Sequence, residues 1–187
     1  MTVSEASSFD LLRLIEGDHV PEEIGIRSEM QILDLLIRMS ALRARPAVLA
    51  SHFNMVNSRA RNVYKRVTKE NPKKGRRPEV EEWYVETIDR HLQSSWLVSS
   101  YAKFTEHATS KMEILEALIF VYEEYLTEFD DHKLNFDRYH YLIRWTFFQD
   151  RIKIKPCHRC GTNRLEVQEH NLLNFINCPV CTLSKYY

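Results

Sequence analysis

The four cysteines constrain this chain more than any other feature. They form two CxxC pairs, Cys157/Cys160 and Cys178/Cys181, with seventeen residues between the pairs. Two such pairs can place four thiolates tetrahedrally around one Zn²⁺, at about 2.3 Å each. A closed shell of four thiolates leaves no position for a catalytic water, so the spacing predicts one structural Zn²⁺ in a C-terminal module over residues 151–187.

Disulfide or redox roles for the cysteines fit less well than metal binding. A disulfide framework is unusual in a cytoplasmic chain whose first 156 residues contain no cysteine. A redox CxxC motif would need a strand-to-helix context, which neither pair has. His158 or His170 could replace one cysteine as a ligand, although both are also ordinary loop histidines.

The sequence around the cysteines indicates a small ribbon. Gly161 follows the first pair and Pro179 lies within the second, which suits tight turns around a metal. Between them, "RLEVQ" and "NLLNFIN" have the length and apolar character of strands. Such a ribbon has too little core to fold alone, so metal binding would supply folding free energy, roughly 10–16 kcal/mol in comparable peptides.

Residues 28–150 are predicted to form a helical domain for DNA binding and assembly, so the fold class is mainly α, a helical bundle followed by the four-cysteine ribbon. The helices are expected over residues 28–44, 79–106, 111–129 and 134–149, where apolar residues recur with helical spacing. The first has Ser28 as a candidate cap and the second begins after Pro78 with three acids. The last is apolar almost all round, which predicts a buried helix or an oligomer interface. The expected core stripe of the first helix is Met30, Leu33, Leu36, Ile37 and Ser40.

Residues 46–65 have the pattern of a helix-turn-helix unit. Asn54 stands where the chain must turn sharply, and Asn tolerates the positive φ of such a turn. The small side chain of Ala50 allows two helices to cross closely, and Asn57 or Ser58 can cap the second helix. The positions expected to face the core are Leu49, Ala50, Phe53, Met55, Ala60, Val63 and Val67.

A net charge of zero hides a strong alternation of charge along the chain. Residues 38–77 carry twelve Lys or Arg against one acid, whereas residues 78–137 have a net charge of −10 and the N-terminal segment 1–27 is acidic. Arg and Asn can recognise base edges and Lys suits phosphates, so the basic block predicts double-stranded DNA as a partner rather than a merely solvated linker. The expected DNA-binding residues are Asn57, Ser58, Arg59, Arg61, Asn62, Lys65, Arg66, Lys69, Lys73, Lys74, Arg76 and Arg77.

Several functional classes find no support in the sequence. Only four glycines occur, so no glycine-rich phosphate loop can be assembled, and no nucleophile elbow or H-E-x-x-H pair is present. The acids around Glu124 and Asp131 are expected to be the solvated end of a helix. No apolar run approaches the roughly 18 residues of a membrane span, and the N-terminus lacks the features of a secretion signal. The sequence therefore predicts a cytoplasmic protein without enzymatic activity.

Four segments in the same order give the chain a family resemblance. "NSRARNVYK", "NPKKGRRPEVEEWY", "LNFDRYHYLIRW" and the two CxxC pairs together resemble the FlhC family, over roughly residues 30–181. The resemblance implies a mostly helical subunit that binds one zinc ion through four cysteines. It also implies assembly with the partner FlhD into a heterohexamer of four FlhD and two FlhC chains, which activates flagellar promoters.

The resemblance assigns zinc to the four cysteines, and DNA contact to Arg59, Arg61, Lys65 and the basic loop. The sequence therefore favours a DNA-binding subunit of a transcriptional activator. Two alternatives stay open at this point, namely a zinc-stabilised protein-interaction adaptor without direct DNA contact and an RNA-binding zinc ribbon.

Overall fold

A computed structural model describes residues 26–73, 75, 78, 80–167 and 177–184. The chain is mainly helical, as the sequence predicts, and it divides into two compact units, residues 1–75 and 76–187. The three-part division at residues 27/28 and 150/151 stays a prediction. Of the helices in the described part of the chain, none combines the length and the apolar character that a membrane span requires.

The first unit contains three helices, α1 (Ile26–Ala41), α2 (Pro46–His52) and α3 (Asn57–Thr68). Helix α3 packs against both α1 and α2. Pro46 occupies the first turn of α2, where its missing N–H costs nothing. The buried side chains of this unit include Leu35, Leu36, Met39, Leu49, Phe53, Ala60 and Tyr64.

The start and the buried face of α1 differ from the predicted ones. The helix begins at Ile26, so Ser28 lies within its first turn and is not its N-cap. Leu36 and Ser40 are buried as expected, but the predicted core residues Met30, Leu33 and Ile37 are exposed. The side chains that take their place in the core are Ile32, Leu35 and Met39. Helix α1 is apolar on two faces, and periodicity alone cannot tell which of them packs against the neighbouring helices.

The second unit contains the remaining elements. These are a 3₁₀ turn (Glu82–Tyr84), α4 (Ile88–Thr105), α5 (Lys111–Glu128), α6 (Phe136–Phe147), β1 (Ile152–Pro156), β2 (Asn163–Val167) and α7 (Pro179–Leu183). Helix α4 packs against α5, α6, β2 and α7, so it is the central element of the unit.

The helix predicted to start after Pro78 begins only at Ile88. Thr87 is its N-cap, and the Thr87 hydroxyl accepts a hydrogen bond from the backbone N–H of Arg90. Tyr84 lies in the separate 3₁₀ turn, fully buried, and its hydroxyl donates to the Arg138 carbonyl of α6. Because burial of Tyr84 fixes this turn against α6, the turn does not continue into α4.

A buried polar network joins α4 to the connection between α5 and α6. The Gln93 side chain donates to the Asp131 carbonyl and accepts from the Tyr125 hydroxyl and the Lys133 N–H. The Tyr125 hydroxyl also accepts from the backbone N–H of Leu134. These bonds satisfy main-chain groups that would otherwise be buried without partners.

The predicted all-round burial of the last helix is confirmed only in part. Tyr139, Leu142 and Ile143 are buried within α6, whereas Phe147 and Phe148 at its end are exposed. Strands β1 and β2 pair antiparallel, with Ile154 opposite Leu165, and this agrees with the strand expected at "RLEVQ". The second expected strand, "NLLNFIN", lies outside the described residues except for Asn177.

Candidate metal centre and nucleic-acid interface

The four cysteine sulfurs converge on one point of the second unit. Their Sγ atoms all lie within 4.8 Å of one another. The Sγ atoms of Cys157 and Cys181 are 3.8 Å apart, and those of Cys160 and Cys178 are 3.6 Å apart. Four sulfurs held tetrahedrally at about 2.3 Å from one ion would be separated by about 3.8 Å. The cluster therefore has the dimensions of a four-thiolate metal site, and its cysteines are free thiols rather than disulfides.

The backbone of the first cysteine pair forms a tight knuckle. The N–H of Gly161 donates to the Cys157 carbonyl at 2.8 Å, and the N–H of Cys157 donates to the Thr162 carbonyl at 2.9 Å. Gly161 has a φ of +73°, a left-handed conformation in which a residue with a side chain would be strained. The N–H of Arg159 is directed at the Cys157 sulfur, 3.4 Å away. This geometry agrees with the turn expected at Gly161.

The second pair is held by a short helix. Cys178 is the N-cap of α7 and Pro179 is its first residue, so Cys181 follows one turn later on the same side. The backbone N–H of Thr182 donates to the Cys178 carbonyl at 3.0 Å. One cysteine pair thus comes from a knuckle between two strands and the other from a helix N-terminus.

The pKa values of the thiols differ because their hydrogen-bond partners differ. Hydrogen bonds from the Thr162 hydroxyl and backbone N–H lower the pKa of Cys160 to about 6. Hydrogen bonding to Cys160, together with burial, raises the pKa of Cys181 to about 12. Neighbouring thiolates repel, so the cluster holds its full negative charge only with a cation at its centre. A divalent metal fits this donor set.

His158, one of the two alternative ligands, is not part of the cluster. His158 is exposed, and among the described residues the only group of metal-ligating side chains comprises the four cysteines. His170 lies outside the described residues. Asp131 forms an ion pair with Lys133, and His132 contacts the Leu126 carbonyl, so these residues have local partners at the end of α5.

Helices α2 and α3 form the unit in which the sequence predicts a helix-turn-helix. They are joined by the four residues from Phe53 to Val56, and Asn54 has a φ of +47°, as expected for a sharp turn. The N–H of Met55 donates to the Ala50 carbonyl at 3.2 Å, which closes the turn. The predicted side-chain cap is wrong, because Val56 is the N-cap and Asn57 is already the first helical residue.

The core face of α3 is slightly rotated from the predicted one. Ala60 and Tyr64 are its buried residues, whereas Val63 and Val67 are half-buried. Tyr64 is not among the residues predicted to face the core, yet it is only 3% exposed. It lies between the two valines in sequence, on a helix that packs against both α1 and α2.

The opposite face of α3 carries most of the residues predicted to bind DNA. Arg59 is half-buried, and the exposed residues are Asn57, Ser58, Arg61, Asn62, Lys65, Arg66 and Lys69. The cations of this exposed group form no ion pair within the described part of the chain. The helix ends in a left-handed residue, Lys69, with a φ of +58°. The face therefore presents uncompensated positive charge beside amide and hydroxyl groups.

The basic loop after α3 is described only in part. Lys73 is exposed, while Lys74, Arg76 and Arg77 lie outside the described residues. The Arg45 guanidinium donates to the Gly75 carbonyl at 3.1 Å, so the connection between α1 and α2 contacts the loop.

Arg43 and Arg38, two further cations of the basic block, have intramolecular partners. The guanidinium of Arg43 lies 2.5 Å from the Glu70 carboxylate, and that of Arg38 lies 3.5 Å from Asp34. Hydrogen bonds to Glu70 and Tyr64 raise the pKa of Arg43. Only the pair of Asp34 and Arg38 has a signal in the sequence, namely its one-turn spacing along a helix.

The fold and the site define a class of protein. It is mainly helical, has a basic helix-turn-helix-like unit, and carries a four-cysteine ribbon that can hold a metal ion. The family model described as "Flagellar transcriptional activator (FlhC)" matches residues 22–185, nearly the whole chain. The chain therefore belongs to the FlhC family of flagellar transcriptional activators, which confirms the resemblance seen in the sequence. A comparison with curated proteins gave no match.

Proposed function

We propose that this chain is a zinc-containing, DNA-binding subunit of a transcriptional activator that acts in the cytoplasm at flagellar or related promoters. The observation that carries the proposal is the exposed face of α3, where Arg61, Lys65 and Arg66 form no ion pair within the described part of the chain. A cationic helix face after a tight turn suits the major groove of double-stranded DNA. No enzymatic step is part of this function.

Within this proposal the first half of α3 has a different role from its second half and the loop that follows. Arg59, Arg61 and Asn62 are the candidates for base contacts, because Arg pairs with guanine and Asn with adenine. Lys65 and Lys69 on α3, together with the loop containing Lys73, are the candidates for phosphate contacts. Membership of a transcriptional activator family supports DNA as the partner.

We propose that the four cysteines bind one Zn²⁺ with a structural role. Four thiolates with this spacing match the preference of Zn²⁺ for tetrahedral sulfur coordination, and they leave no open position. Purified protein should contain one zinc ion per chain by elemental mass spectrometry. Cys178→Ser should lose most of it, whereas Ser184→Ala removes only an exposed hydrogen bond from the Ser184 hydroxyl to the Cys181 carbonyl and should retain it. Metal-free wild-type protein that folds normally would contradict this assignment.

We further propose that the chain acts in a hetero-oligomer with an FlhD-like subunit, a heterohexamer by analogy with the family. Exposed apolar side chains support such assembly in each unit. In the first unit Met30, Leu33 and Ile37 form a stripe along α1, and in the second Phe104 and Phe120 contact each other edge to face, with ring centroids 4.9 Å apart. Coexpression followed by native mass spectrometry would give the composition of the complex.

The DNA-binding face can be tested through the salt dependence of affinity. The coexpressed complex should first be used to select its preferred sites from random DNA. For these sites, we expect Lys65→Ala/Lys69→Ala to flatten the plot of log affinity against log salt by about 0.9 for each lost phosphate contact. The matched control is Lys103→Ala/Lys111→Ala, which removes two exposed charges from the second unit. An unchanged slope for the α3 variant would refute the proposed face.

Base recognition has a separate signature. Arg59→Ala or Arg61→Ala should reduce the preference for selected over scrambled DNA by about 1–3 kcal/mol. Lys73→Ala should weaken both DNAs equally, because phosphate contacts carry no sequence information. If neither arginine variant changes the preference, Arg59 and Arg61 do not recognise bases.

The adaptor function is the second candidate, and the exposed Phe104–Phe120 pair favours it. In that case the ribbon would stabilise a protein-docking surface and the basic face would bind an acidic protein. Absence of DNA binding at low salt, both with and without the FlhD-like subunit, would favour the adaptor. Displacement of bound DNA by single-stranded RNA at equal concentration would instead indicate an RNA-binding protein.

A further inference from the structure

One edge of the cysteine ribbon is held by side chains of α4. The backbone N–H of Leu165 in β2 donates to the Ser95 hydroxyl at 3.2 Å. The Leu165 carbonyl lies 3.1 Å from His91 Nε2, which donates to it. His91 and Ser95 are one helical turn apart, so both main-chain groups of one strand residue are bound by one face of one helix. All three residues are at most 5% exposed.

These bonds pair main-chain groups at the edge of β2 that β1 does not reach. The sheet has only two strands in the described part of the chain, and β1 pairs with β2 along one edge. A two-stranded ribbon is marginally stable in water, and buried main-chain groups without partners carry a substantial cost. Since Leu165 directs its N–H and its carbonyl at α4, the helix satisfies the strand edge that β1 does not reach.

The same helix packs against an element next to each cysteine pair. Strand β2 begins at Asn163, directly after the knuckle of Cys157 and Cys160. Helix α7, which carries Cys181, also packs against α4. A displacement of β2 from α4 would therefore move one cysteine pair relative to the other.

We infer that His91 and Ser95 are positioning residues for the metal centre, and that they couple metal occupancy to the order of α4. This inference rests on the proposed zinc but not on DNA binding. Coupling between two sites is reciprocal. A variant that loosens the contact of His91 and Ser95 with Leu165 must therefore weaken metal retention, and metal removal must loosen the same contact.

Helix α4 supplies its own matched control. Ser94 is fully buried next to Ser95, and within the described part of the chain its hydroxyl makes no hydrogen bond. Ser94→Ala and Ser95→Ala therefore remove the same atom from neighbouring buried positions, and only Ser95→Ala removes a bond to the ribbon. A general effect of core perturbation would appear in both variants.

The test measures zinc release from the purified full chain to a chromogenic chelator. We expect Ser95→Ala to accelerate release about tenfold, the ratio that corresponds to the loss of a buried hydrogen bond. Ser94→Ala should stay within about twofold of the wild type. His91→Leu should accelerate release as Ser95→Ala does, and His91→Gln should restore much of the retention because its amide can donate to the same carbonyl.

Hydrogen exchange gives a second readout that does not depend on the chelator kinetics. Metal removal should increase exchange at residues 91–95 of the wild type, and Ser95→Ala should show increased exchange even with metal bound. Equal release rates for Ser94→Ala and Ser95→Ala would overturn the inference, as would equal rates for His91→Leu and His91→Gln. Wild-type protein that retains no zinc would refute the proposed metal centre itself. Equal rates for the matched variants, in a protein that does retain zinc, would refute only the role of His91 and Ser95.

Discussion

Glu81 is a largely buried acid whose charge has a specific partner. Its side chain is 12% exposed and forms an ion pair with Arg151, which precedes β1. The Arg151 guanidinium also lies over the Trp145 ring, 4.9 Å from its centroid. A buried carboxylate is stable only when it is paired in this way, so the contact fixes the start of the ribbon to the helical part of the second unit.

We expect Glu81→Gln to lower the unfolding free energy by about 1–3 kcal/mol, because the Arg151 charge then loses its partner. Glu86→Gln is the control, since Glu86 is 58% exposed where it pairs with Arg90. Exposed pairs contribute about 0–1 kcal/mol. Urea unfolding followed by tryptophan fluorescence measures both variants, and equal losses would show that the burial of Glu81 has no energetic weight.

The titration of His52 predicts how the unfolding free energy changes at acidic pH. Burial lowers the pKa of His52 to about 4, below the 6.5 of an unperturbed histidine. Between pH 6.5 and 4 the unfolded chain therefore binds a proton that the folded chain does not, and the unfolding free energy decreases as the pH falls through this window. Above pH 6.5 His52 makes no pH-dependent contribution.

The imidazole resonance of His52 should accordingly titrate with a midpoint near pH 4 in the folded protein. His52→Gln should lose stability less steeply than the wild type between pH 6.5 and 4. A midpoint near 6.5, or identical pH profiles for the two proteins, would contradict the burial of this side chain.

At the scale of elements, the turn between α2 and α3 depends on one left-handed residue. Asn54 has a φ of +47°, and its side chain is exposed. Glycine adopts this conformation without a steric cost, whereas a β-branched side chain is strained there.

Asn54→Gly should therefore be nearly neutral and Asn54→Val should destabilise the protein by about 1–3 kcal/mol. Asn62→Val is the matched control, because Asn62 is exposed within the regular helix α3 and the same substitution there costs only a few tenths of a kcal/mol. Thermal unfolding by circular dichroism separates the three variants. Equal effects of valine at both positions would mean that the turn is not strained.

Helix positions are easier to predict from this sequence than helix ends. Each long segment with apolar spacing contains a helix, because one buried stripe requires that period. The ends depend on which residue adopts the extended conformation of an N-cap. That residue is Val56 rather than Asn57 or Ser58, and Thr87 rather than a residue next to Pro78. Tertiary contacts such as the burial of Tyr84 decide where a helix begins, and such contacts cannot be read from a sequence pattern.

At the scale of the whole molecule, the chain is two compact units, residues 1–75 and 76–187, and the cysteine cluster lies entirely in the second. Metal removal by a chelator should therefore increase hydrogen exchange in residues 152–167, while residues 30–68 of the first unit keep their protection. Exchange followed by mass spectrometry measures both segments in one sample. Loss of protection in both units would show that the first unit depends on the metal.

The folded chain also determines which charges of the basic block face solvent. The twelve cations of residues 38–77 predict double-stranded DNA as a partner. In the folded chain Arg38, Arg43 and Arg45 contact groups of their own unit, whereas α3 keeps its exposed cations. A count of charges overstates the positive surface, because it cannot distinguish charges that have intramolecular partners from those that face solvent.

The sequence by itself determined the helical class, the turn at Asn54, the four-cysteine group and the family. These features rest on local spacing or on residue chemistry, and both are visible in a linear chain. Only the tertiary structure decided which face of α1 is buried, which cations have partners, and that His91 and Ser95 bind β2. Leu165 lies 70 and 74 positions from Ser95 and His91 in the sequence. No local pattern encodes such a contact, because it exists only after separate elements have packed together.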